Sequence, residues 1–206
     1  MSWIRSWFRR ERIGLTLVVL AIIVLLLAWM APQDRTLRAD SRIVYLHGAL
    51  VWAAILSFLA AGLVGLAALI WDRGALHAWT QALGRTALLF WAGYLPLSMI
   101  ASHQTWGGIF WQEPRYRTAF QVLALSLAVQ AAGTLWGRRR ISSLLNTLMA
   151  IALVWLLTHT EAVLHPVNPI ARSTPMIQLF FGLLVGGTGL AALQVARWHR
   201  ARIPGE

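Results

Sequence analysis

Six histidines and no cysteine set the terms for any chemistry in this chain. Without thiols there is no disulfide framework, CxxC redox pair, iron–sulfur ligand set or covalent heme attachment through CxxCH. A metal or cofactor would have to be held by His, Met, Glu or Asp. His47 stands in the run RIVYLHGALVW. An imidazole inside such an apolar stretch is costly unless it is hydrogen-bonded, solvated or metal-bound. The adjacent Gly48 opens the plain alternative of a hydrogen bond to a nearby carbonyl. His165, in EAVLHPVNPI, precedes a proline and so favours an extended backbone, from which its ring would hang in a loop. Neutral imidazole suits iron, and two such rings from separate segments could approach opposite faces of one porphyrin. Arg42, Arg115, Arg117 and Arg172 are then available to pair a propionate, although loop solvation and headgroup pairing account for them as well.

The segment HQTWGGIFWQEPRYR places Trp106, Phe110, Trp111 and Tyr116 close together, with Gly107 and Gly108 allowing a tight turn or close approach to a flat ligand. Such a loop suits stacking on a porphyrin, or lying in the membrane interface. Glu113 and Arg115, two residues apart, are not helix-face neighbours but can tie the loop to other segments. A hydrolytic reading is weaker. His159, Glu161 and His165 form HxExxxH, not the HExxH that aims two imidazoles at zinc from one helical turn. There is no GxSxG turn and no phosphate-cradling glycine loop.

The elements that must position these groups follow from composition. Of 206 residues, 58% are hydrophobic and 12% charged, which excludes an ordinary soluble domain. Six apolar runs predict six transmembrane helices over 13–31, 43–70, 82–101, 118–136, 144–160 and 175–196, in one all-α, polytopic integral membrane domain spanning 1–206. The first run, 19 residues long, would extend about 28 Å, the thickness of the hydrocarbon core; it reads as a retained anchor rather than a signal peptide. All 18 basic residues are arginine, against 7 acidic ones. They collect at the ends of the apolar runs, so topology and lipid headgroups account for them better than nucleic acid, which is not an expected partner. With six crossings, 12 arginines lie on the side of the termini and 6 on the other, and this bias predicts cytoplasmic termini. His47, His103, His159 and His165 then face outward, as does an external tryptophan-rich loop over 102–117.

Taken together, these outward segments resemble those of the cytochrome c assembly proteins, specifically heme exporter protein C, the heme-handling C subunit of cytochrome c maturation. The resemblance runs roughly from Arg42 to Ala196. The stretch Arg42-Ile43-Val44-Tyr45-Leu46-His47, with Trp52 beyond it, is similar to the family's run before its second helix, and Leu164-His165 resembles its Leu-His pair in the last external loop. The family pattern WGxWWxWDxR is met in part. Trp106, Gly107 and Arg115 match, Glu113 stands for the aspartate and Phe110 for a tryptophan. Ile109 and Gln112 replace two further tryptophans, and Trp111 falls at a variable position, so the chain looks like a diverged member.

The resemblance implies a non-enzymatic role, with non-covalent, exchangeable heme b held at the periplasmic face of the inner membrane. His47 and His165 would be the axial iron ligands, under the loop bearing Trp106, Gly107, Phe110, Trp111, Glu113 and Arg115. The implied partners are a periplasmic heme chaperone and subunits like those of ATP-binding-cassette transporters, besides the lipid bilayer itself. Two other readings stand beside this one: a structural subunit of a transport or respiratory complex without heme, and a membrane metallohydrolase using His159 and Glu161.

Overall fold

The computed structural model describes residues 12–35, 37–161 and 170–203; 85% of these residues are helical and none is in a strand. Among the described residues six long helices follow one another: α1 (Ile13–Met30), α2 (Ser41–Trp71), α3 (Gly74–Trp106), α4 (Pro114–Leu135), α5 (Arg139–Thr158) and α6 (Pro175–Arg202), with a 3-10 turn at Arg38–Asp40. Their ends carry recognisable stop and start chemistry. Asp72 closes α2 in the left-handed conformation (φ +47°), and its N–H donates to the Ala68 carbonyl. Gly107 (φ +77°) closes α3, a conformation in which a Cβ would be strained. Pro114 and Pro175 occupy first-turn positions, where the missing N–H costs nothing. Thr174 caps α6 by accepting from the Ile177 N–H.

α2 and α3 form an antiparallel hairpin with the largest shared contact in the molecule. α5 packs across both, α6 lies against α3 and α2, α4 joins α5 and α3, and α1 rests chiefly on α6. One core gathers Ala54, Phe58, Trp91, Tyr94, Val122, Met149 and Leu153 from α2 to α5. Within it Trp91 meets Tyr94 edge-on at 4.8 Å, and its indole N–H donates to the Ala119 carbonyl at 2.9 Å. A second core joins α1, α2 and α6 through Val24, Ala28, Tyr45, Ala49, Ile177 and Leu184.

Five helices (α1, α2, α4, α5 and α6) are long and apolar enough to cross a membrane, as expected of a multi-pass membrane protein. Large apolar side chains such as Leu25, Leu63, Ile151 and Leu179 point outward, while alanine, glycine, serine and threonine fill much of the interior. That distribution suits a lipid solvent, in which close helix contact rather than water exclusion drives packing. α3 differs. Its 33 residues exceed the hydrocarbon thickness, yet it is not among the five. It packs against α2, α4, α5 and α6, and many of its polar side chains (His77, Thr80, Thr86, Ser98 and Ser102) are buried against protein.

The helix bounds differ from the expected ones where polar residues continue a helix beyond its apolar run. α3 extends 82–101 in both directions, α4 and α5 begin earlier, and α6 runs on to Arg202. The external loop, expected over 102–117, is only 107–113. Trp106 therefore belongs to the last turn of α3 and Arg115 to the first turn of α4.

Candidate functional site

Antiparallel succession brings the start of α2, the end of α3, the start of α4, the end of α5 and the start of α6 to one end of the bundle. His47 is the seventh residue of α2, about 10 Å along its axis. It is half-buried, and its Nδ1 is shielded from solvent. The neighbouring Gly48 faces α6, where an added Cβ would lie 3.1 Å from the Phe181 ring. The approach to α2 is pinned on both sides. Ser41 Oγ accepts from the Asp34 N–H at 2.9 Å and donates to the Arg38 carbonyl at 2.7 Å. The Tyr45 hydroxyl donates to the Pro32 carbonyl at 3.3 Å. Arg42 lies over the Trp29 ring, 4.0 Å from its centroid, a cation–π contact that holds the guanidinium at this rim.

The tryptophan-rich segment is short and held from beneath. Ser102 donates to the Gly108 carbonyl at 2.8 Å, the Glu113 N–H reaches the Phe110 carbonyl, and the Tyr116 hydroxyl donates to the Ser98 carbonyl at 3.0 Å. Glu113 is buried at 4% exposure, whereas Arg115 is exposed. The aromatic residues do not form one platform. Trp106 meets Phe110 edge-on at 6.5 Å, and Trp111 pairs instead with Phe120 of α4 at 6.1 Å. Phe110 and Trp111 remain 42% and 57% exposed, so apolar ring surface faces outward at this end. His165 lies outside the described residues. His103 is exposed on the last turn of α3, and His159 follows α5, its ring stacked on Trp155 at 5.1 Å. Among the described residues no three His, Cys, Asp or Glu side chains converge as a metal site would require.

Sequence reasoning missed a second cluster, at the opposite end. His77, 2% exposed at the start of α3, stands with Nε2 3.0 Å from Asp72 Oδ1 and Nδ1 2.7 Å from Ser143 Oγ of α5. A carboxylate only accepts, so Nε2–H donates to Asp72, while Nδ1 pairs with the Ser143 hydroxyl. The His77 hydrogen bond, with Arg140 3.9 Å away, holds the Asp72 carboxyl below the usual carboxylate range. The order Asp–His–Ser matches a nucleophilic triad. Ser143 is wholly buried, however, and no substrate carbonyl can reach it. The arrangement clamps the α2–α3 turn to α5. Deeper in, Gln130 donates to Asn146 at 3.0 Å and Thr147 donates to the Gly62 carbonyl at 3.2 Å. In the sequence only the pair Asp72 and His77 hinted at this cluster, because Ser143 arrives from a helix 66 residues away.

Neither a protein-family model nor a curated protein matches this chain in sequence, so its reading rests on its own residues and their geometry.

Proposed function

We propose that this chain is an inner-membrane protein of six spans with cytoplasmic termini that holds heme as cargo at its periplasmic face and presents it to a heme chaperone. The observation that carries the reading is His47, a half-buried imidazole on α2 with Nδ1 shielded, at the end where α3 and α4 present exposed aromatic rings. His165 would supply the second imidazole from the loop between α5 and α6. Phe110 and Trp111 offer apolar surface to the porphyrin, and Arg115 a cation for a propionate. The chain's part is to bind and orient its cargo reversibly. Two imidazoles retain heme, while a shallow, outward-facing site leaves an edge for the receiving protein. Transporter-like subunits would supply the energy for release, since this sequence has no nucleotide-binding loop.

Purified full-length protein titrated with heme tests the proposal. The expected result is a bis-imidazole absorption band that His47→Ala or His165→Ala abolishes. Replacing Trp106 should weaken retention more than replacing Trp29. A native chain that takes up no heme would leave a structural subunit of a membrane complex as the better reading. Equal effects at Trp106 and Trp29 would remove the stacking role from the loop.

A further inference from the structure

A cleft of about 440 Å³ opens between the first turns of α4 and the end of α5, within the range of small-molecule sites, roughly 300–1,000 Å³. It is separate from His47, since α2 does not line it. Its floor is closed by the Thr118 and Thr160 hydroxyls, 2.6 Å apart, with Thr160 donating onward to the Leu156 carbonyl. Trp155 and Leu156 form an apolar wall. Four polar side chains stand around the opening: Arg117, Gln121, His159 and Glu161.

The charges are balanced and held apart. Arg117 and Glu161 line the same cleft, yet neither has an ion-pair partner among the described residues. His159 adds direction. Its Nδ1 lies 2.9 Å from the Trp155 carbonyl, which only accepts, so Nδ1 carries the proton and Nε2 of the neutral ring is an acceptor. The cleft therefore offers a cation and amide donors from Arg117 and Gln121, and acceptors from Glu161 and His159. A plain anion would meet the Glu161 carboxylate. A metal ion would find only two ligating side chains where sites need three or more. A ligand with a phosphodiester and an ammonium group satisfies both sets.

We infer that this cleft binds a zwitterionic aminophosphate headgroup, that of a phosphatidylethanolamine lipid. Its phosphate would meet Arg117 and Gln121, and its ammonium Glu161 and His159. Position favours the lipid over a solute. The cleft lies where α4 starts and α5 ends, at the termini of two helices long and apolar enough to cross a membrane, which is where headgroups would meet them. Trp155 beside it is 59% exposed, and one turn down Ile151 is 61% exposed, giving an acyl chain an apolar track along α5.

Native mass spectrometry of the full-length, delipidated protein tests the inference, with phosphatidylethanolamine, phosphatidylglycerol and soluble glycerophosphoethanolamine as probes. The expected result is one phosphatidylethanolamine retained about tenfold more tightly than phosphatidylglycerol. Glu161→Gln should erase most of that preference, and Arg117→Gln should weaken both lipids by about five- to tenfold. Both side chains are exposed, so the variants should fold, and an unchanged elution volume verifies this. Equal retention of the two lipids, or a Glu161→Gln variant that keeps the preference, would overturn the proposal. Soluble headgroup bound as tightly as lipid would support the recognition chemistry and assign it to a solute. Lipid mass is the readout, so the result is independent of whether the chain takes up heme.

Discussion

The side chains that sequence could single out and those that only the fold could assemble divide cleanly at His47 and His77. His47 declares itself because an imidazole in an apolar run demands a reason, and it stands half-buried in the second turn of α2. His77 gives no such signal. Its partner Ser143 is one hydroxyl among many, and only the packing of α5 on the α2–α3 turn makes it the acceptor's neighbour. The aromatic loop was legible as a cluster but not as two separate pairs, because Phe120 lies outside the motif and captures Trp111. The Asp72 clamp makes a pH-dependent prediction. Folding lowers the Asp72 pKa, chiefly through the His77 hydrogen bond and then Arg140. The contribution is therefore complete above the ordinary carboxylate value, about 3.9, and is lost as pH falls through the lowered one. Thermal unfolding in detergent should show Asp72→Asn melting below the native chain from about pH 5 to 7, with the two converging toward pH 2. A gap that stays constant over that range would show that the carboxylate charge is not what the clamp uses.

At the scale of elements, lipid made most of the fold readable. A spanning helix must be long, uniform and self-satisfied in hydrogen bonds, so α1, α2, α4, α5 and α6 announce themselves as apolar runs. α3 was found but misjudged in extent, since His77, Thr80 and Ser102 face protein and look like loop residues in a linear reading. What lets helices approach so closely is small side chains at particular crossings. A Cβ on Gly65 would lie 2.6 Å from the Thr147 hydroxyl and 2.8 Å from the Ser143 carbonyl, and one on Gly84 would strike the Asn146 amide that Gln130 bonds. On α6, Gly182 has open space at the same position. Gly65→Ala and Gly84→Ala should each cost about 1–3 kcal/mol, because neighbouring helices must move apart. Gly182→Ala should change stability by less than about 0.5 kcal/mol. Reversible unfolding in mixed micelles checks this order. A neutral Gly84→Ala would mean that the α3–α5 crossing is looser than its polar contacts require.

For the whole molecule, orientation is a question of where the arginines sit and whether α3 crosses. Arg138, Arg139 and Arg140 stand together at the start of α5, on the same end as Arg73 and the arginines that close α6. On the orientation proposed above, the positive-inside bias would put that end in the cytoplasm. The polar content of α3 does not oppose a crossing, because His77, Thr80, Thr86, Ser98 and Ser102 are buried against protein while Leu89 and Ile100 are among the residues left exposed. If α3 crosses, Arg73 and Gln112 lie on opposite sides of the membrane, and Trp136 lies with Arg73. The absence of native cysteine makes this directly measurable, since each introduced thiol is the only one in the chain. With an impermeant maleimide applied to intact spheroplasts, Gln112→Cys should label, while Arg73→Cys and Trp136→Cys should label only after the membrane is opened. Labelling of both position 73 and position 112 from outside would mean that α3 returns without crossing. The shared end of α2, α3 and α4 would then no longer be a periplasmic face, and the heme proposal would fail with it.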